Sequence, residues 1–238
     1  MSRFIFVTGT DTGAGKTVLT SLLLLHARGK GLNAVALKPF CSGGREDAEL
    51  FWNLLEREVP LDVINPFHFA APLAPATAAG LQGRSITLKK TLTAIQRASA
   101  DLTLVEGAGG LLAPLGESFA APDLIRELAA GVIVAAPNRL GVINHSLLTF
   151  RELDRTSAKA PRLALMDATE GDPSSNHNPD DLRRLLPAIP FAHLPRINTR
   201  TIEALRCATI QHASVLDLLL QHSASQPSSN RSGQSSSN

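Results

Sequence analysis

The apolar run Phe4-Ile5-Phe6-Val7 leads directly into Thr8-Gly9-Thr10-Asp11-Thr12-Gly13-Ala14-Gly15-Lys16-Thr17, and a leucine-rich stretch follows. Few folds accommodate that order. It predicts a buried strand, a glycine-rich turn, and a helix opened by Gly15-Lys16-Thr17. Such a turn aims backbone N–H groups and the positive helix N-terminus at one point, a cradle for phosphate oxygens. Lys16 is placed to reach the outer phosphates and the Thr17 hydroxyl to sit on Mg²⁺. The strict spacing puts glycine where Thr10 stands; Gly9 comes one residue early, so the run is a variant of the phosphate-binding P-loop. An ordinary strand–turn–helix junction is the alternative. Gly-Lys-Thr placed behind a clean apolar strand favours nucleotide binding instead.

Strand-like and helix-like patterns alternate along the chain. Strands are expected at residues 4–7, 34–38, 102–106, 132–136, 162–166 and 188–191, and helices at 16–28, 46–58, 88–98, 122–128, 143–153, 180–185 and 199–221. This alternation predicts an α/β fold: a three-layer sandwich with a mostly parallel central sheet covered by helices on both faces. Ligands of such sheets gather outside the carboxyl ends of the strands. A chain of 238 residues is long enough for one such domain, set at residues 1–222. In residues 223–238, eight of sixteen side chains are serine and no aliphatic residue exceeds alanine, so this tail is expected to be disordered.

Composition narrows the function classes. A net charge of +2 carries no footprint of nucleic-acid or anionic-membrane binding. Two cysteines make no disulfide framework and suit a reducing compartment. The seven histidines have no metal-ligand spacing, and no stretch is apolar for long enough to span a bilayer. With no leader-like segment ahead of the first strand, the expected location is the cytoplasm.

Two further motifs fall at expected strand ends. In Ala36-Leu37-Lys38-Pro39-Phe40-Cys41-Ser42-Gly43-Gly44, the strand stops at Lys38 and a loop is forced. Lys38 either neutralises a transferring phosphoryl group or a substrate carbamate, or snorkels to solvent. Ser42 either bonds a small substrate or caps the turn. Asp47, in the first turn of the next helix, either shares Mg²⁺ with Thr17 or complements the helix dipole. Cys41 reads as a small buried thiol. In Leu102-Thr103-Leu104-Val105-Glu106-Gly107-Ala108-Gly109-Gly110, a carboxylate ends a buried strand, the place of an acid that orders Mg²⁺. A glycine turn with a solvated Glu106 is the other reading. The glycines let backbone approach a ligand closely.

Together these motifs, with Asn65-Pro66-Phe67-His68-Phe69-Ala70-Ala71-Pro72-Leu73-Ala74-Pro75 and Leu140-Gly141-Val142-Ile143-Asn144-His145, resemble the dethiobiotin synthetase family over about residues 4–153. The resemblance implies the P-loop NTPase form of the three-layer sandwich. It implies an ATP- and Mg²⁺-dependent ligase of biotin biosynthesis that joins CO₂ to 7,8-diaminopelargonate through a carbamate and a carbamic–phosphoric anhydride. By the same resemblance Thr12, Lys16 and Lys38 hold the carbamate and the phosphoryl group, and Ser42 contacts the substrate. Thr17, Asp47 and Glu106 organise Mg²⁺. Gly13, Ala14, Gly15, Lys16, Thr17 and Val18 take the nucleotide, and Gly107, Ala108 and Gly109 line nucleotide and substrate. Family members are homodimers, so Asn144 is expected to reach the neighbouring subunit's substrate.

The chain departs from the family pattern after about residue 153. Met166 stands where the family has an adenine-reading Asn, and Asp167 follows it. A thioether cannot make an amide's paired donor–acceptor contact. Asp167 is carried as a base contact, with a solvated strand-end Asp as the alternative, and Pro190, Phe191 and Ala192 are carried as an adenine-side loop. Three other classes compete. A cobyrinate-amidating ligase needs a glutaminase domain for which this chain has no room. A ParA-like partitioning switch needs an early P-loop lysine where Asp11 stands. A nucleotide-binding family member without turnover is suggested only by Met166.

Overall fold

The computed structural model describes residues 3–98, 100–156, 158–168, 172–197 and 201–221. Its main sheet has six strands: β1 (Arg3–Gly9), β2 (Ala34–Leu37), β5 (Leu102–Gly110), β6 (Gly131–Asn138), β7 (Lys159–Asp167) and β8 (Phe191–Leu194). They lie in the order β2-β5-β1-β6-β7-β8, and every neighbouring pair is parallel. All four residues of β2 are buried, as are Val132 to Asn138 of β6. Successive strand side chains point to opposite faces, so continuous burial means that both faces are covered, the sandwich expected from the sequence.

α1 (Lys16–Gly29) shows how the helical layers are built. Leu19, Leu22, Leu23, Leu24 and Ala27 are fully buried, along with Thr20 and Ser21 on other sides of the helix. A helix buried nearly all round needs partners beyond the sheet. Here they are α2 (Glu46–Leu54), α9 (Ile202–Gln211) and α10 (Ala213–Leu220). Thr20 and Ser21 return their hydroxyls to the carbonyls of Lys16 and Thr17, which satisfies both inside the core.

Several expected elements change. The helix expected at 46–58 ends at Leu54, because Glu56 and Arg57 adopt left-handed φ of 52° and 64°. The strand expected at 188–191 begins at Phe191 instead. Pro190 cannot donate to a ladder, and Ile189 N–H closes a turn on the Leu186 carbonyl. The helix expected at 199–221 is two helices parted at His212; its start at residue 199 lies outside the described residues. The tail at 223–238, expected to be disordered, also lies outside them. A two-stranded parallel sheet was not anticipated: β3 (Phe40–Ser42) against β4 (Phe67–Phe69). Two short helices follow from it, α3 (Leu61–Ile64) before β4 and α4 (Pro75–Leu81) after it. α5 (Leu88–Arg97), α6 (Ala121–Glu127), α7 (Val142–Arg155) and α8 (Asn178–Leu185) complete the fold near their expected places.

The strand order reverses direction about β1: β5 and β2 lie to one side, β6, β7 and β8 to the other. Ligands of open α/β sheets bind at such a switch, outside the strand carboxyl ends. The glycine-rich turn after β1 therefore stands where a site is expected.

Candidate active site

The turn is shaped by its glycines. Gly13 and Gly15 have φ of 73° and 86°, left-handed values that cost an L side chain about 1–2 kcal/mol. Gly15 is also the N-cap of α1, and a Cβ there would come 3.2 Å from Met166 Cγ. Lys16, at the first position of α1, folds back to donate to the Asp11 carbonyl (3.0 Å) and the Gly109 carbonyl (2.8 Å). Its ammonium thus ties the turn after β1 to the end of β5. Burial pushes the Lys16 pKa down to about 8, while Glu106 pulls it up and Lys38 presses it down.

Strand pairing places the remaining charges. Leu37 pairs with Val105, so Lys38 and Glu106 leave neighbouring strands side by side; Val7 pairs with Glu106 from the other flank. Glu106 is fully buried, and its Oε1 accepts from Thr17 Oγ1 (2.9 Å) and from Lys38 Nζ. Lys38 Nζ also lies 3.2 Å from Asp47 Oδ2 and donates to the Gly107 carbonyl at 3.5 Å. Burial alone would lower the Lys38 pKa, but the two carboxylates outweigh it and hold it above its ordinary value. Glu106 Oε2 is buried without a hydrogen-bond partner. A buried carboxylate oxygen left unpaired is costly, so it calls for a ligand or cation. The donor set it would share, the Thr17 hydroxyl and the Asp47 carboxylate, is all oxygen and suits a hard cation such as Mg²⁺.

These groups line one cleft of about 750 Å³. Of the residues expected at a site, it gathers Thr12, Lys16, Thr17, Lys38, Ser42, Asp47 and Glu106, with the backbone of Gly13, Ala14, Gly15, Ala108 and Gly109. Ser42 is carried there by β3, its hydroxyl buried without a partner. The connection from Ser42 to Asp47, short as it is, brings Asp47 onto Lys38. The rest of the lining had been given no site role from the sequence, although most of it falls within the quoted motifs: Phe40, Cys41, Gly44, the segment Pro72, Leu73, Ala74 and Pro75, and Gly110 with Ala113. The signal available for it was Pro72 and Pro75, which bracket the turn that starts α4.

Other expected residues lie elsewhere. Val18 follows the turn inside α1, and Gly107 is buried against the Phe6 ring; neither lines the cleft. Asp167 ends β7 and accepts from Asn138 Nδ2 (2.8 Å) and His193 Nε2 (2.7 Å), which leaves it outside the cleft wall. Hydrogen bonding by His193 and Asn138 holds its carboxyl below the usual range against a burial effect of opposite sign. Met166 is buried against Gly15. Pro190, Phe191 and Ala192 are displaced from their expected role. Phe191 pairs with Leu163 early in β8, so they sit toward the amino ends of the strands, whereas the cleft opens at the carboxyl ends. Asn144 is exposed in the first turn of α7 and outside the cleft.

Comparison with known proteins gives the geometry a family. The family model described as an AAA domain matches residues 3–203. The "ATP-dependent dethiobiotin synthetase BioD" of Anaeromyxobacter sp. (strain Fw109-5) is 40% identical over 202 residues, covering 82% of this chain and 91% of that protein. The chain belongs to the dethiobiotin synthetase family. The protein of that name from Bacillus subtilis (strain 168) is 30% identical across 92% of this chain and 98% of its own. Among solved structures, a putative plasmid partition protein of Borrelia burgdorferi B31 bound to AMPPNP matches with a TM-score of 0.62 at 9% identity, covering 92% of this chain and 99% of that one. A ParA family ATPase from Chlorobium tepidum TLS matches at 0.56 and 12% identity, covering 92% and 93%. At such identities the likeness extends to the fold alone.

Proposed function

We propose that the protein is an ATP-dependent cyclo-ligase that makes dethiobiotin from 7,8-diaminopelargonate and CO₂. The observation that carries this reading is the buried cluster of Lys16, Lys38, Glu106 and Thr17, with half-buried Asp47 beside it, in one cleft of a chain of this family. In the reaction one amine of the substrate loses a proton and bonds to CO₂, giving a carbamate. A carbamate oxygen attacks the γ-phosphorus, the bond to the β-phosphate oxygen breaks, and ADP leaves. The second amine then attacks the carbamate carbon and gives up a proton to the departing phosphate, whose C–O bond to that carbon breaks as the ring closes.

No protein nucleophile is needed. The Cys41 thiol is raised to about 11 by burial first, with Lys38 opposing, so it stays protonated. The protein contributes position and charge instead. Lys16, Thr12 and Lys38 hold the carbamate and the transferring phosphoryl group. The backbone N–H groups of the turn and the α1 N-terminus hold the phosphates. Ser42 offers its unpaired hydroxyl to the substrate, and the backbone of Gly109 lies beside it. Thr17, Asp47 and Glu106 are the groups that would hold Mg²⁺, which when bound neutralises phosphate charge. Asp167, with Asn138 and His193, stands at the strand ends on the side where the nucleoside would extend. A homodimer in the cytoplasm completes the reading. Leu140, 82% exposed, and Asn144 present the start of α7 outward, where a second subunit would use them.

The test is to incubate the protein with 7,8-diaminopelargonate, bicarbonate, Mg²⁺ and ATP and to detect dethiobiotin by mass. Product that vanishes with Lys16→Ala supports the reading. Absence of product from folded protein that still binds nucleotide contradicts it.

A further inference from the structure

Lys38 makes its two close charge contacts with Glu106 and Asp47, the same carboxylates that suit a divalent cation. Its side chain is almost wholly buried, and so is that of Lys16. The two ammoniums and two carboxylates balance in formal charge without any ion added. Glu106 is fully buried and Asp47 is half-buried beside it, so the charge on Glu106 above all needs a cation next to it. Glu106 Oε1 is already shared by Lys38 and Thr17, while Oε2 has no partner.

We propose that Lys38 is the resident counter-ion of this site and that a divalent cation enters by displacing its ammonium from Glu106 and Asp47. The displaced ammonium then swings into the cleft it already lines, where the negative carbamate would meet it. Metal entry and delivery of the catalytic cation become one event, so Lys38 is presented only when metal and nucleotide are in place. The inference rests on the proposed function for what Lys38 then meets, and on the geometry alone for the exchange of cations.

Two measurements made without the diamine substrate test it. In the first, Mn²⁺ is titrated alone and free metal is read by electron paramagnetic resonance, for the wild type and for Lys38→Met, which keeps the stem and removes the charge. Loss of a competing cation from a buried site tightens Mn²⁺ binding by about tenfold or more. In the second, acetylation of Lys38 by acetic anhydride is followed by peptide mass spectrometry on wild-type protein holding ADP, with and without Mg²⁺. Displacement predicts faster acetylation when Mg²⁺ is added. Unchanged Mn²⁺ affinity in Lys38→Met, or a Lys38 acetylation rate that Mg²⁺ leaves level or lowers, overturns the exchange. If Lys38→Met folds poorly by circular dichroism, the wild-type acetylation arm decides alone. A protein that exchanges cations but yields no dethiobiotin loses the proposed reaction and keeps this inference; one that makes dethiobiotin without exchange does the reverse.

Discussion

The two lysines of the cleft are both buried ammoniums, yet their partners differ, and the difference predicts how each should fail. Among the described residues Lys16 donates to carbonyls, those of Asp11 and Gly109, and so is available to an incoming phosphate. Lys16→Ala should weaken nucleotide binding and lower kcat/KM by about 10²–10³-fold, as loss of one preorganised charge contact does. Lys38→Ala should lower kcat by a similar factor and leave the nucleotide Kd within about threefold, because its partners are carboxylates; calorimetry with a non-hydrolysable nucleotide separates the two. Met166 supports a third expectation. Its thioether packs on Gly15 and has no hydrogen to donate, so ATP should be favoured over GTP or CTP by less than about tenfold in a competition assay. Strong discrimination would assign base reading to another residue, with Asp167 the first to replace. Cys41 and Cys207 make a direct check on burial. Cys207 is exposed, while Cys41 is buried with its thiol raised to about 11, so iodoacetamide at pH 7.5 should alkylate Cys207 alone. At this scale the sequence was legible wherever a side chain sits at a strand end: Lys38 and Glu106 are beside the P-loop because β2, β5 and β1 are neighbours. Spacing could not show that Lys38 would be locked between two carboxylates, since that depends on where the loop after β3 carries Asp47.

At the scale of elements, long periodic segments were readable and short ones were not. β1, α1 and β6 bury runs of consecutive side chains and α7 buries a stripe at helical spacing, enough in each to impose a pattern on the sequence. β3 and β4 have three residues each, too few for any period to register, although they support Ser42 and the proline wall. The split between α9 and α10 was missed for another reason: the apolar positions continue across His212, and only its non-helical backbone, φ −110° and ψ 22°, parts the two helices. α10 is anchored at its carboxyl end by arginines of β1 and β7. Arg3 donates to the Leu220 carbonyl at 2.7 Å and Arg162 to that of Gln221, which satisfies two of the carbonyls left free at the helix end. His26 of α1 meets Asp217 at 2.8 Å. Fully buried Leu216 and Leu219 fix it further. Leu216→Ala should therefore destabilise by about 2–5 kcal/mol, read as a fall in Tm of roughly 5–15 °C by calorimetry. A change under 1 °C would mean that α10 contributes little to the core.

For the whole molecule, one sheet reversal decides where chemistry can occur. β1 lies between two sets of strands running in opposite order, and the P-loop, Lys38, Glu106 and the wall from Pro72 to Pro75 converge outside its carboxyl end. The same reversal removes Pro190, Phe191 and Ala192 from consideration, because the start of a parallel strand faces the other edge. Partitioning ATPases share the fold, and what separates a ligase from such a switch is the fate of the γ-phosphate: a switch passes it to water, a ligase to the carbamate. The oxygen found in the released phosphate therefore bears most directly on the account. With C¹⁸O₂, 7,8-diaminopelargonate, Mg²⁺ and ATP, mass spectrometry should find one ¹⁸O in each phosphate released alongside dethiobiotin, carried over when the carbamate C–O bond breaks. Phosphate carrying only oxygen from ATP and unlabelled water, at full ATP turnover, would contradict it and identify the protein as a hydrolase.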